Sequence, residues 1–132
     1  MPWTIVQSNG HLWHGDPEPV ATGYSGAEPD GKNNPAMQQV ACVGPLPAGW
    51  YDIVGQPFDS PEHGPFCLRL QPRPETEMYG RTGMLIHGDS VEHPGCASEG
   101  CFCVSPITVR QRIWNSGDLA VQVVADDPEV TE

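Results

Sequence analysis

The chain has 132 residues, enough for a single domain with one modest hydrophobic core. Its 17 acidic and 6 basic side chains give a formal charge of −11. Six bases spread along the chain cannot form the cationic surface that phosphate groups require, so the composition argues against nucleic acid and anionic membranes as partners. No apolar run approaches the roughly 18 residues of a membrane span.

The N-terminus reads MPWTIVQSNG and has neither a basic n-region nor an apolar h-region. A cleavable signal peptide needs both. We therefore expect a protein made in the cytoplasm, and any role outside it requires another route of delivery.

Short apolar segments separated by glycine and proline predict strands along most of the chain. The run GMLIH is continuous, as in a strand buried on both faces, and it ends in a histidine. The polar segment Gly23–Pro35 predicts a surface loop, and its length suggests that it lines a site. The predicted strands are Pro2–Gln7, Gln38–Val43, Trp50–Val54, Phe66–Leu70, Gly83–His87 and Leu119–Ala125.

One helix is predicted between Ser105, as N-cap, and Gly117, with Pro106 at the first helical position. Many short strands and one short helix indicate a mainly β fold, a small curved β-sandwich or barrel. We expect one domain over residues 1–125 and a solvated acidic tail over 126–132. In the helix, Ile107, Val109, Ile113 and Trp114 are expected to face the core, and Arg110, Gln111 and Arg112 the solvent.

Five cysteines are present, so complete pairing must leave one thiol free. Two bridges with one reactive thiol, or five reduced thiols, both fit this count. The spacing C-x4-C-x-C lacks the partner pairs of a zinc site, so we expect no metal and no cofactor. The cysteines are Cys42, Cys67, Cys96, Cys101 and Cys103.

The segment LIHGDSVEHPGCASEGCFCV carries the residues best suited to chemistry. His87 ends a predicted strand, and Cys101 follows at the start of the next. A thiol is a nucleophile only as thiolate and therefore needs a neighbouring base or cation. Gly100 permits a backbone conformation closed to other residues and lets a substrate approach. His93 is a rival base in the intervening loop, whereas His11, His14 and His63 are interpreted as surface residues.

These residues resemble the signature of L,D-transpeptidase domains, in which His-Gly precedes Ser-x-Gly-Cys. The closer resemblance is to small antibacterial effectors of type VI secretion systems that carry an L,D-transpeptidase-like domain. It extends over several ordered blocks: GYSG, NNP, GPLPAGWYDI, GRTGMLIHGD and ASEGC.

The resemblance implies that Cys101 attacks and that His87 takes its proton. It also implies that the carbonyl of Gly88 orients the imidazole, and that Ser98 and Gly100 shape the site and its oxyanion hole. The residues that it assigns to the substrate cleft are Tyr24, Asn34, Arg81, Asp89 and Glu99.

Two positions depart from the housekeeping enzymes, which often have His where this chain has Glu99 and Arg where it has Cys103. Arg81 is a candidate to replace the missing arginine, although an ordinary exposed base is an equally simple interpretation. Glu99 beside a thiol should disfavour the thiolate, because like charge raises a pKa. Cys103 should share a face with Cys101 on a regular strand. It is then either a second thiol near the site or a partner for Cys96.

The implied substrate is a peptidoglycan stem peptide, in the periplasm of a target cell. The implied partners are a periplasmic immunity protein and a spike or tube component of the secretion system. Three alternatives stay open: a cysteine amidase or endopeptidase of the cell wall, a non-catalytic binding module on the same fold, and a phage or housekeeping enzyme of wall remodelling.

Overall fold

A computed structural model of the protein describes residues 1–90, 98 and 100–128. Within these residues there are nine β-strands, one α-helix, α1 (Ile107–Asn115), and a 3-10 helix (Pro35–Met37). The strands are β1 (Trp3–Val6), β2 (His11–Trp13), β3 (Ala21–Thr22), β4 (Tyr24–Ser25), β5 (Gly49–Ser60), β6 (Gly64–Pro72), β7 (Leu85–His87), β8 (Phe102–Cys103) and β9 (Ala120–Val124).

All nine described strands belong to one curved sheet with the order β3-β2-β1-β9-β5-β6-β7-β8-β4. The β1–β9 and β7–β8 pairs are parallel, and the other pairs are antiparallel. The long β5–β6 hairpin occupies the middle of this order and connects the two halves. The predicted fold class, mainly β with one short helix, is confirmed.

The core lies on one face of the sheet, where alternate residues of the strands point inward. Tyr51 and Ile53 on β5 alternate with more exposed neighbours, as do Val121 and Val123 on β9. Burial of each such side chain contributes about 1.5–3 kcal/mol. The hydroxyl of Tyr51 donates to the carbonyl of Pro47 at 2.6 Å, so this buried polar group is satisfied.

Five of the six predicted strands are present, but the prediction for Gln38–Val43 is wrong. This segment follows the 3-10 helix as a series of turns, in which backbone N–H groups bond to carbonyls three or four residues earlier. Cys42 there has a positive φ of 62°, outside the β region of backbone conformations. Local hydrogen bonds have therefore prevailed over an apolar pattern that suited a strand.

The predicted helix is present, but two of its details are wrong. Pro106 is the N-cap, and the hydroxyl of Ser105 instead accepts a hydrogen bond from the N–H of Asp89 at 3.1 Å. Arg110 is only 3% exposed, whereas the sequence predicted a solvent-facing residue. Gly117 follows the helix with a φ of 75°, as expected of a residue that ends one.

The C-terminal end of the described residues is held to β2 and to the turn before it. The Asp127 carboxylate accepts hydrogen bonds from Asn9 at 2.6 Å, His11 at 2.9 Å and Trp13 at 3.0 Å. The predicted solvated tail is therefore attached at this residue, while residues 129–132 lie outside the described part. In that part, the helices are too short and too polar to cross a bilayer.

Candidate active site

A cavity of about 1140 Å³ opens between β7, the turn of the β5–β6 hairpin and the loop around residues 41–42. Both residues of the predicted dyad, His87 and Cys101, line it. The other lining residues are Ala41, Cys42, Glu62, His63, Gly64, Pro65, Gly80, Arg81, Thr82, Gly83, Met84, Gly88, Asp89, Ser90, Gly100, Ser105 and Arg110.

His87 is the last residue of β7 and is only 1% exposed. Its Nδ1 lies 2.8 Å from the carbonyl oxygen of Gly88, which matches the predicted orienting contact. Because a carbonyl only accepts, Nδ1 must carry the proton, and Nε2 of the neutral ring is then free to act as a base. Burial lowers the pKa of His87 below 6.5, and the Gly88 carbonyl opposes that effect.

Cys101 lies directly before β8, and the parallel register brings it beside the beginning of β7. Phe102 pairs with Ile86, so the preceding residue Cys101 lies level with Leu85. The Cys101 Sγ accepts from the N–H of Leu85 at 3.4 Å and lies 3.8 Å from the carbonyl oxygen of Gly83. Its side chain is half-buried and reaches the cavity.

Cys103 is the direct partner of His87 in the β7–β8 register. Its Sγ lies 3.5 Å from Nδ1 and 3.6 Å from Nε2 of His87. The side chain is 1% exposed, and burial raises the pKa of Cys103 to about 12. This thiol therefore stays protonated at neutral pH and packs against the imidazole.

Ser98 fixes the turn that leads into Cys101. Its Oγ donates to the carbonyl of Cys101 at 2.6 Å and accepts from the N–H groups of Gly26 at 2.9 Å and Gly100 at 3.1 Å. Ser25 Oγ donates to the carbonyl of Gly100 at 3.2 Å. The N–H of Gly100 is thus used inside the turn, so Ser98 and Gly100 shape the site through the backbone.

Gly100 has a φ of 139°, the special conformation that the sequence predicted for it. A Cβ at this position would lie 2.1 Å from Nη2 of Arg81. Only glycine therefore fits between the Arg81 guanidinium and the backbone that carries Cys101.

Arg81 is 6% exposed, so its interpretation as an ordinary exposed base is wrong. Its guanidinium donates to the carbonyls of Gln38 at 2.6 Å, Pro45 at 2.8 Å and Gly44 at 3.0 Å. Burial lowers the pKa of Arg81, and negative charge on Cys101 acts against this shift. The same attraction favours the Cys101 thiolate. The three hydrogen bonds also attach Arg81 to the segment 38–45.

Arg110 is the second buried arginine at the cavity. It donates to the carbonyls of Val104 at 2.6 Å, Phe66 at 3.0 Å and Pro65 at 3.2 Å. Three backbone acceptors explain how a charged helix residue can be buried. The arrangement joins α1, the end of β8 and the start of β6. A Cβ on Gly88 would lie 3.0 Å from this guanidinium, so the His-Gly step also packs against it.

Tyr24 and Asp89 are joined by a partly buried hydrogen bond. The Tyr24 hydroxyl donates to Oδ1 of Asp89 at 2.5 Å, and the N–H of Ser90 donates to the same oxygen at 2.8 Å. Asp89 lines the cavity, whereas Tyr24 and Asn34 are not among the lining residues. Asn34 caps the 3-10 helix by accepting from the N–H of Ala36 at 3.1 Å. Substrate contacts by Tyr24 and Asn34 stay predictions.

His63 was interpreted as a surface residue, but it stacks on His87 with ring centroids 4.4 Å apart and an interplanar angle of 24°. It belongs to the turn between β5 and β6 and lines the cavity. Two histidines distant in sequence give no local signal of such a contact. The rival base His93 and the predicted substrate residue Glu99 lie outside the described residues.

Cys42, Cys67, Cys101 and Cys103 form no disulfide bonds with one another. Cys96, the fifth cysteine, lies outside the described residues. Within residues 1–90, 98 and 100–128, no group of three or more His, Cys, Asp or Glu side chains is arranged to hold a metal ion.

The fold and the cavity define a small, mainly β protein in which the half-buried thiol of Cys101 and the buried imidazole of His87 line the same cavity, together with the exposed thiol of Cys42. A family model, the Tlde1 domain, matches residues 20–124. The chain belongs to this family, which is a family of type VI secretion effectors. Searches of curated proteins and of solved structures gave no match.

Proposed function

We propose that this protein is a cysteine acyltransferase that acts on peptidoglycan tetrapeptide stems, with L,D-carboxypeptidase activity, D-amino-acid exchange activity or both. The observation that carries the proposal is the shared cavity. Cys101 opens to it, and the neutral imidazole of His87 lines it with Nδ1 fixed by Gly88. Membership of an effector family supports an enzymatic role directed at another cell.

In the proposed acylation, His87 Nε2 takes the proton of the Cys101 thiol as Sγ attacks the carbonyl carbon of the third stem residue. The C–S bond forms, and the C–N bond to the terminal D-Ala breaks. The imidazolium gives this proton to the departing nitrogen, so D-Ala leaves with a free amino group and His87 is neutral again. A thioester on Cys101 remains.

Deacylation then runs through the same imidazole. Water attacks the thioester carbonyl as His87 takes one of its protons, the C–S bond breaks, and the imidazolium returns that proton to the Cys101 sulfur. The tripeptide leaves as the carboxylic acid, which loses its other proton to solvent. A free D-amino acid can replace water, in which case its amine forms a new peptide bond. A cavity of about 1140 Å³ can hold an extended peptide and leaves room for either acceptor.

Electrostatics around the two reacting groups support this division of roles. The charge of Arg81 attracts negative charge on Cys101. Burial keeps His87 neutral at pH 7 and therefore able to accept a proton. Cys103, with a pKa of about 12, is a poor nucleophile beside them.

The biological role that we propose follows from the family and the substrate. The protein is made in the cytoplasm, delivered by the secretion system through a spike or tube component, and acts in the periplasm of a target cell. There, loss of terminal D-Ala removes donors for cross-linking. An immunity protein that occupies the cavity is the expected partner, and a basic surface would complement the charge of −11.

The direct test is incubation of the purified protein with a disaccharide tetrapeptide, followed by mass spectrometry of the products. We expect release of D-Ala, or its replacement when another D-amino acid is added. Cys101→Ala should abolish the reaction, and Cys42→Ser, an exposed thiol at the cavity rim, is the matched control.

Product mass also separates the proposal from its alternatives. An amidase or endopeptidase would cut a different bond and give fragments of different mass. No product with the wild type, or undiminished D-Ala release by Cys101→Ala, would refute the proposal.

A further inference from the structure

We propose that His63 is a positioning residue for His87: by stacking on the imidazole from the β5–β6 turn, it holds the ring in the orientation in which Nδ1 faces the carbonyl of Gly88. The inference rests on the proposed role of His87 as a base. It assigns a function to a residue that the sequence alone places on the surface.

The first support is the contact itself. The two imidazole rings are separated by 4.4 Å between centroids and inclined by 24°, which is a stacked arrangement. Such ring pairs stabilise one another beyond the effect of the area that they bury. The His63 side chain is about one-third exposed, whereas His87 is 1% exposed.

The second support is that the turn carrying His63 is held at both ends. The N–H groups of Glu62 and His63 each donate to Oγ of Ser60 at 3.2 Å. After the turn, the carbonyls of Pro65 and Phe66 accept from the Arg110 guanidinium. A side chain on such a turn can hold a neighbour, because its own backbone is fixed.

The third support is that few hydrogen bonds fix the orientation of the His87 ring. The described structure gives its ring one strong hydrogen bond, to Gly88, and a weaker contact with the Cys103 sulfur. Rotation of the ring by 180° would exchange Nδ1 for a carbon and lose the Gly88 bond. A stacked neighbour opposes this rotation, and misplacement of a catalytic group by about 1 Å can cost on the order of 10²-fold in rate.

The charged and titratable groups around His87 are His63 on the hairpin turn, Arg110 on α1, Asp89 after β7, and Cys103 on β8. A positive charge on His63 or Arg110 lowers the pKa of His87, and Asp89 raises it. Removal of His63 therefore removes a stack and a potential charge together. Phenylalanine at position 63 separates these effects, since it keeps the ring and cannot be protonated.

The experiment compares His63→Ala, His63→Phe and the control His11→Ala, a partly exposed histidine on β2 that does not line the cavity. Nitrogen-15 NMR of the His87 ring reports which nitrogen carries the proton, and D-Ala release reports kcat and KM. We expect the Nδ1–H form in the wild type, a mixture of tautomers in His63→Ala, and the Nδ1–H form again in His63→Phe. We also expect kcat to fall about tenfold in His63→Ala with KM unchanged, and to recover to within about twofold in His63→Phe.

An unchanged tautomer and kcat in His63→Ala would overturn the inference, as would a phenylalanine variant that is no better than the alanine variant. The NMR measurement needs no substrate. A wild type that releases no D-Ala, but whose His87 tautomer depends on His63 as described, would refute the proposed reaction and leave the positioning role standing.

Discussion

Two thiols lie at opposite ends of the short segment that pairs with β7, and their surroundings differ. Cys101, level with Leu85, is half-buried and reaches the cavity. Cys103, level with His87, is 1% exposed and packs its sulfur against the imidazole. The same short segment thus opens one sulfur to the cavity and encloses the other.

The difference shows that contact with a histidine does not by itself activate a thiol. Cys103 is within 3.6 Å of both ring nitrogens, yet burial raises its pKa to about 12. Cys101 lines the cavity and follows Gly100, whose backbone packs closely against the Arg81 guanidinium. Access to the cavity, rather than contact with the imidazole ring, distinguishes the candidate nucleophile from Cys103.

The largest expected effect is in thiol reactivity. At pH 7 we expect iodoacetamide to alkylate Cys101 at least about 100-fold faster than Cys103, because a pKa of about 12 leaves only on the order of 10⁻⁵ of Cys103 as thiolate. Tandem mass spectrometry of the peptide that contains both residues measures the two rates. Exposed Cys42 provides the reference thiol. A Cys101 that reacts no faster than Cys42 would favour a non-catalytic binding module.

A smaller effect is expected when the turn before Cys101 is disturbed. Gly100→Ala combines a φ of 139° with a Cβ 2.1 Å from the Arg81 guanidinium. We expect a loss of about 2–4 kcal/mol in the free energy of unfolding and a roughly tenfold fall in D-Ala release. Urea denaturation and product assays measure these changes.

Gly117→Ala is the matched control for this substitution. Gly117 also has a positive φ, 75°, but an added Cβ would meet no atom within 4 Å. It should cost about 1 kcal/mol from the backbone alone and leave the reactivity of Cys101 unchanged. Equal losses in both variants would mean that the Arg81 contact does not support the site.

The smallest effect is a shift in pH dependence. Burial lowers the pKa of His87 below 6.5, so the imidazole stays neutral, and able to accept a proton, down to a more acidic pH than a free histidine. The acid limb of kcat/KM should therefore have a midpoint below 6.5. A midpoint at or above 6.5 would show that the imidazole is charged more readily than its burial allows.

The strands that carry the site could be predicted from sequence only in part. The apolar run that ends in His87 identified β7, and alternation identified the start of β5 and most of β6. β3, β4 and β8 each contain two residues, too few for a periodic pattern. Gln38–Val43 had the composition of a strand, but its backbone bonds locally and its carbonyls serve Arg81.

The site was predicted in its main residues and missed in its supports. The His-Gly and Ser-x-Gly-Cys elements identified His87 and Cys101, and both line the cavity. The burial of Arg81 and Arg110 depends on carbonyls far away in the chain, which no local pattern reveals. Position 110 does lie three residues before the buried Ile113, so helical spacing held a weak signal. Stacking of His63 on His87 depends on the full length of the β5–β6 hairpin. The strands predicted from the sequence, Trp50–Val54 and Phe66–Leu70, end before its turn.

The most direct test of the central claim, that Cys101 is the nucleophile, is to quench the reaction in acid and locate the acyl group by mass spectrometry. Cys103→Ala removes the neighbouring thiol and makes the assignment unambiguous. We expect a tripeptide thioester on Cys101 in both the wild type and Cys103→Ala. An acyl group that disappears in Cys103→Ala, or one found on Cys103 in the wild type, would contradict it.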